Sequence, residues 1–389
     1  MLFFFAAACL GHLVLMIASH NWFYGLPLPR RVTDVFHLLH GGLVLAFPLV
    51  LWYAAGWDLS GLFRFDAAGG AVLAAYVVVC WVAAFVLMPL NTALRLFRPR
   101  PAAFGKEKSE VVDIVKQLGG PPAGIGTKHF QALLPFNEAL QVEFVERTLH
   151  LPRLPAAWDG LTVLHLSDLH LCGTPDRAWF RAVMDRCASC EPDLVAVTGD
   201  LADGDDFIRW IVPVLGRLRW KVAAFAILGN HDAWYAPEKV RRRLRRLGMN
   251  VLGNGWERID VRGEALVVIG QESPWFRPAP DLSSAPRGPF RLCLSHTPDN
   301  IRWARRAGID LMLSGHVHGG QIRVPVFGSL LVPSRYGRRY DCGVFAEGPT
   351  LLHVSRGLGG DHPLRFLCRP EATRLILRRP FDRGGERPA

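Results

Sequence analysis

The sequence predicts an α/β domain carried on three membrane-spanning helices. Three observations lead there: long uncharged runs near the N-terminus, an alternation of strand-like and helix-like segments beyond them, and acidic or histidine motifs that end five of the strands.

The uncharged runs come first. Of the 389 residues 50% are apolar, and a mean hydropathy of +0.18 is high for a wholly soluble chain. No Asp, Glu, Lys or Arg occurs from Met1 to Pro29, from Val35 to Gly56, or from Ala67 to Leu94. Each run is long enough to cross a hydrocarbon core of roughly 30 Å. A secretory signal at the N-terminus would carry a positive n-region, which Met1–Ser19 lacks, and two more runs follow it. His12, His37 and His40 inside these runs are read as histidines packed between helices. Arg30 and Arg31 follow the first run, and Arg95, Arg98, Arg100, Lys106 and Lys108 follow the third, whereas the second loop offers only Arg64. The positive-inside rule then places the N-terminus outside and everything after Leu94 in the cytoplasm. Eight cysteines, at 9, 80, 172, 187, 190, 293, 342 and 368, form no disulfide-like framework, which suits a reducing compartment. "CASC" is expected to end a helix, since one C-x-x-C without a second pair makes no zinc site.

A formal charge of +11 and a pI near 9.6 favour anionic partners: lipid headgroups, phosphorylated substrates or nucleic acid. No nucleic-acid-binding motif is recognisable, so DNA and RNA are not expected. The densest basic cluster, "RRRLRR" at Arg241–Arg246, is expected as a short helix starting at Pro237 and stopping before Gly248, with a solvated basic face.

From Arg95 to about Asn137 the composition turns to Pro, Gly and Lys, as in "RPRPAAFGKEK" and "LGGPPAGIG". This reads as a linker with one short helix, "SEVVDIVKQL". Beyond it the strands "LTVLHLS", "DLVAVTG", "VAAFAILG", "ALVVIG", "FRLCLS", "DLMLSG" and "TLLHVS" alternate with helix signals after Thr174-Pro175, Asp205, Pro237 and Thr297-Pro298. Such strands, apolar throughout, are buried on both faces. The chain is thus divided into a membrane domain (1–94), a linker (95–137), an α/β domain (138–379) and a disordered tail (380–389).

Five strand ends deliver chemistry. "LHLSDLH" supplies Asp168 and His170, "VTGD" Asp200, "LGNHD" Asn230 and His231, "LSHTPD" His296, and "LSGHVH" His316 and His318. Open α/β sheets bind ligands beyond the carboxyl ends of their strands. Oxygen and nitrogen donors without thiolate suit Mn, Fe or Zn. With Asp168, His170, Asp200, Asn230, His296, His316 and His318 there are seven ligands, so one bridging carboxylate would give each of two ions four.

The order D-x-H, G-D, G-N-H-D, H and G-H-x-H resembles that of the calcineurin-like metallophosphoesterases, from about Val142 to Leu377. The G-G-Q after the last block, the three spans and "SRGLGG...RFLCRPE" are similar to the bacterial membrane-associated branch of that family. The resemblance implies a metallophosphoesterase-type two-layer β-sandwich flanked by helices. It implies two divalent metal ions (Mn, Fe, Zn or Mg), one on Asp168, His170, Asp200 and His318, the other on Asp200, Asn230, His296 and His316. It also implies His231 as the group that protonates the departing oxygen or stabilises the transition state, Asp203 as the carboxylate that orients His231, and Asp232 as structural. Two cations about 4 Å apart acidify a bridging water and offset phosphoryl charge, so the implied reaction is attack of a metal-bridging hydroxide on a phosphoester or pyrophosphate.

One departure is visible. Where related sequences often carry an acidic pair, this chain has "GQESPWFRPAP", and substrate contacts there do not carry over. Trp275 and Phe276, in the Pro-rich stretch Pro274–Pro289, are candidates for a lid or interfacial wedge, and Trp234 and Tyr235 for lining the site. Spans, basic charge and aromatic loops beside a phosphate-splitting site favour a membrane-anchored phosphohydrolase acting on a lipid-linked substrate. The alternatives are a phosphodiesterase acting on a soluble nucleotide and a catalytically silent membrane scaffold or metal sensor.

Overall fold

In the computed structural model, which describes residues 1–55, 68–120, 124 and 128–380, the uncharged runs are helices: Leu2–Tyr24 (α1), Arg30–Ala54 (α2) and Ala68–Val82 (α3). A widened turn at Ala83–Leu87 leads from α3 into Met88–Leu96 (α4). Pro89 has no N–H to give the carbonyl four residues back, which accounts for the widening. All three spans are long and apolar enough to cross a membrane. α1 and α3 approach closely at Gly11, where a Cβ would run into the Cys80 carbonyl. His12 lies between them, 2.7 Å from the Tyr76 hydroxyl and 3.1 Å from the Leu43 carbonyl, and His40 meets Ser19 Oγ at 2.7 Å, as expected of histidines packed between helices.

The membrane helices form one of two units, Met1–Pro99, and this unit also includes Val324–Arg339 from far along the chain. Buried Asn21 holds that excursion from both sides of its side-chain amide. Its Nδ2 donates to Leu330 O (2.9 Å), and its Oδ1 accepts from Val332 N (2.8 Å).

The second unit is a two-layer β-sandwich. One sheet contains Phe104–Asp113 (β1), Gln141–His150 (β2), Leu161–Leu166 (β3), Leu194–Thr198 (β4), Ala223–Ile227 (β5) and Asn250–Val251 (β6). The other contains Trp256–Val261 (β7), Glu264–Gln271 (β8), Phe290–Ser295 (β9), Leu311–Ser314 (β10), Gly343–Glu347 (β11) and Thr350–Val354 (β12). The last strand, Glu371–Arg378 (β13), joins the first sheet, giving the orders β1-β2-β13-β3-β4-β5-β6 and β11-β12-β10-β9-β8-β7. Alternate residues of β3 and β4 serve two cores. Val163 and Ala196 pack between the sheets. Leu164, Leu166, Val195 and Val197 pack outward with Trp179, Phe180 and Val183 of the helix Arg177–Ala188. Because β3, β4 and β5 run parallel, as do β8, β9, β10 and β12, their carboxyl ends collect at one edge.

Several expectations change. The stretch 95–137, expected as a linker, contributes β1, which pairs antiparallel with β2. "SEVVDIVKQL", expected as one helix, divides into strand through Asp113 and the helix Ile114–Leu118, whose first turn is capped by the Asp113 carboxylate at Lys116 N. The basic helix forms at Pro237–Arg246, but Arg241 is not solvated: it forks onto the buried Glu272 carboxylate at 3.1 and 2.5 Å. Phe276 is no lid or wedge, since it packs on the outer core beneath Arg241. The tail expected as disordered lies, from residue 381, outside the described residues.

Candidate metal centre

The turns after β3, β4 and β10 bend the chain into left-handed backbone. Asp168, His170, Asp200, His316 and His318 have φ of 51°, 44°, 53°, 70° and 51°. Side chains other than glycine rarely adopt such angles, and the cost is tolerated where function sets the direction of a side chain. Here the three turns aim these five side chains at one another.

Asp200 sits in the middle. Its Oδ2 is 3.5 Å from His170 Nε2 and 3.2 Å from His296 Nε2, and its Oδ1 accepts from the His231 backbone N–H at 2.8 Å. On one side His170 Nε2 and His318 Nε2 face each other at 3.2 Å, with Asp168 Oδ1 3.7 Å from His318. On the other side His296 Nε2 is 3.0 Å from Asn230 Oδ1, and His316 completes the group. Among the described residues, Asp168, His170 and His318; His170, Asp200 and His231; and Asp200, His296 and His316 each offer donor atoms within 4.8 Å of one another. All seven residues expected as ligands are therefore brought together. Gly229 has room for nothing more, because a Cβ there would strike Asp200 Oδ1 and His296.

The arrangement fits cations. His316 Nε2 is buried with no hydrogen-bond partner, a costly state for an imidazole nitrogen unless something else accepts its lone pair. Burial pushes His316 and His318 well below the usual imidazole range, so both are neutral donors, the form a metal requires. For His170, burial is outweighed by the Asp203 carboxylate, then by Asp200 and Asp168, which push it up to about 10. His296 goes up to about 9 because Asp200 likewise outweighs burial. The carboxylates diverge: burial and the neighbouring Asp200 raise Asp168, whereas the imidazoles of His296, His231 and His170 overcome burial and hold Asp200 well below its ordinary value.

The outer contacts explain the rest. Asp203 accepts from His231 Nδ1 at 2.8 Å and also from His170 Nδ1 at 2.9 Å, so it touches two imidazoles. Asp232 accepts from the backbone N–H groups of Asp200, Leu201 and Gly229, and burial with the adjacent Asp200 pushes it up to about 7. It braces the loop, as a structural residue would. Trp234 lies 4.6 Å from the His231 ring, and Trp275 lies 4.9 Å and 5.5 Å from the rings of His316 and His296. Arg365 was not foreseen. It is 2% exposed and donates to His318 O at 3.1 Å and Arg356 O at 2.8 Å; its only signal was its place in "RFLCRPE".

The sequence profile of the family described as Calcineurin-like phosphoesterase matches residues 161–320. An uncharacterized metallophosphoesterase, YkuE, of Bacillus subtilis is 30% identical over 62% of this chain and 88% of its own length. The phosphodiesterase YaeI of Escherichia coli is 31% identical over 55% of this chain and 81% of its own. A transmembrane protein with metallophosphoesterase domain from Danio rerio is 27% identical over 62% of this chain and 59% of its own.

Proposed function

This chain belongs to the calcineurin-like phosphoesterases and is a metal-dependent phosphoester hydrolase; from that premise we propose that it works at the membrane on a lipid-linked phosphoester or pyrophosphate. In this reading Asp168, His170, Asp200 and His318 would hold one divalent cation, and Asp200, Asn230, His296 and His316 the other. The observation that carries this reading is the Asp200 Oδ2 atom, within 3.5 Å of an imidazole nitrogen from each half. Such cations would supply acidification of water and offset of the charge on the phosphoryl oxygens.

The chain's own residues do the remainder. Asp203 accepts the His231 Nδ1–H, which fixes the ring so that Nε2 can present a proton to the departing oxygen. Trp234 and Trp275 stand against the rings of His231 and His316, and apolar walls of this kind would strengthen the charge interactions inside the site. The three apolar helices support a substrate delivered by the bilayer, and the name of the Danio rerio relative is consistent with membrane anchoring. Basic residues after the first and third spans favour a cytoplasmic catalytic unit. Protease protection of that unit in intact cells is the expected result, and cleavage from outside would reverse the orientation.

The test is hydrolysis by the full chain in detergent, with Mn added or chelated, on lipid pyrophosphates, lipid phosphodiesters and nucleotides side by side. Metal-dependent turnover of the lipid substrates is expected. Turnover of nucleotides alone would remove the lipid and leave a soluble substrate, and no turnover of any phosphoester would leave a scaffold.

A further inference from the structure

Between the two sheets the apolar alternation breaks at one end. Val163, Ala196, Leu351 and Leu149 lie in the inter-sheet core. Two residues along on the same faces stand His165, Thr198, His353 and Arg147, none more than 7% exposed. Polar groups buried this deeply are costly unless every one is paired.

They are paired in a single line. Arg147 Nη1 is 2.8 Å from His353 Nε2, His353 Nδ1 is 2.8 Å from His165 Nδ1, and His165 Nε2 is 2.9 Å from Thr198 Oγ1. Thr198 Oγ1 is 2.7 Å from Ser167 Oγ, and the Ser167 hydroxyl stands beside Asp168 Oδ2, both crowding the same corner at Gly315, where it favours the ionised carboxylate. A guanidinium has no acceptor, so the first bond has only one possible direction. His353 must accept at Nε2 and, being neutral, carries its proton on Nδ1. His165 then accepts at Nδ1 and donates from Nε2 to Thr198. The threonine passes its own proton to Ser167, whose hydroxyl hydrogen is left for Asp168. Burial holds both histidines in the neutral form this requires, lowering His165 to about 3 and His353 well below its ordinary value. Arg147 is itself anchored by Glu371 at 2.6 Å and Glu107 at 2.5 Å.

We propose that this line is a one-way chain of hydrogen bonds in which Arg147, His353, His165 and Thr198 act as positioning residues for Asp168. The inference rests on the reading of Asp168 as a metal ligand. The arginine decides which way a serine hydroxyl points four bonds away. With Ser167 fixed as donor, and with the His316 backbone N–H 3.0 Å from both carboxylate oxygens, Asp168 is held in one orientation toward the centre. The aligned bonds also turn their positive ends toward the carboxylate. Gly315 keeps that corner closed, since a Cβ there would strike Ser167 Oγ and Asp168 Oδ2.

Two measurements on the full chain in detergent test this. Histidine-selective 15N NMR of the metal-chelated protein should show His353 protonated at Nδ1 and His165 at Nε2, with peaks assigned by single histidine substitutions. Mn binding by equilibrium dialysis should show one of two sites weakened by roughly 10- to 100-fold in Thr198→Val, the range for contacts that hold a ligand in place, and restored in Thr198→Ser, which returns the hydroxyl. The opposite tautomers, or two undisturbed Mn sites in Thr198→Val, would overturn the chain while leaving the metal reading intact. A parent protein that binds no Mn would sink the metal reading and, with it, the role assigned to the chain.

Discussion

The two halves of the centre use the same kinds of ligand but are supported differently. In the half built on Asp168, His170 and His318, charged groups stand behind the imidazoles: Asp203 behind His170 and the Arg365 guanidinium beside His318, 3.4 Å from its Nδ1. In the half built on Asn230, His296 and His316, the support is neutral: the Thr198 carbonyl accepts from His296 Nδ1 at 2.7 Å, and Trp275 covers both rings. A carboxylate behind an imidazole raises its basicity and fixes its tautomer, whereas a carbonyl mainly fixes the tautomer. The two cations should therefore differ in affinity and in their response to substitution. Asp200 is the one ligand whose loss both should feel.

The largest effect should come from Asp200→Asn. It breaks the comparison outright: both ions weaken together, and turnover falls to the level of chelated protein. A variant that keeps one tight site would show that the halves do not share this carboxylate. His231→Ala should leave metal content unchanged and slow turnover by about 10²- to 10⁴-fold, the usual contribution of a positioned proton donor; stoichiometry by metal analysis separates that from ligand loss. Asp203→Asn should weaken the first half by about 10- to 100-fold while sparing the second, and competition dialysis resolves the two. Trp275→Ala should do the reverse on a smaller scale, about tenfold or less, because edge-to-face ring contacts contribute about 0.5–1.5 kcal/mol.

The smallest expected effect is on stability against pH. His170 and His296 have folded values raised from 6.5 to about 10 and about 9. Their contribution in chelated protein is fully present below pH 6.5 and is lost as pH rises through 9 and then 10. The unfolding temperature of chelated protein should fall over that window, by about 2–4 °C for each kcal/mol. Protein loaded with Mn should lack this slope, because the metal displaces those protons. Equal slopes in both would argue against metal binding at these imidazoles.

Much of the site was legible because each motif is local: a strand, a turn and one or two ligands within seven residues, as in "LHLSDLH". Parallel pairing then brought the turns to one edge. What stayed hidden depended on partners far away in sequence. β1 is an edge strand with most side chains exposed, so it is held by backbone bonds to β2 and shows no apolar alternation to read. Its lysines and glutamates read as linker. His165 and His353 sat in plain view within apolar strands, "LTVLHLS" and "TLLHVS". That they meet at 2.8 Å follows only from the packing of one sheet on the other. The placement of Val324–Arg339 with the membrane helices rests on contacts from residues far away in sequence, Asn21 to Leu330 and Val332 and Arg95 to Val326, for which composition gives no signal.

Asp200 Oδ2 lies between His170 and His296, where two cations would share it. Mn titration of the full chain, followed by electron paramagnetic resonance, tests that sharing most directly. Two ions per chain and the multiline signal of an exchange-coupled pair, lost in Asp200→Asn, are expected. A single ion per chain, or two ions giving only uncoupled six-line spectra, would contradict it.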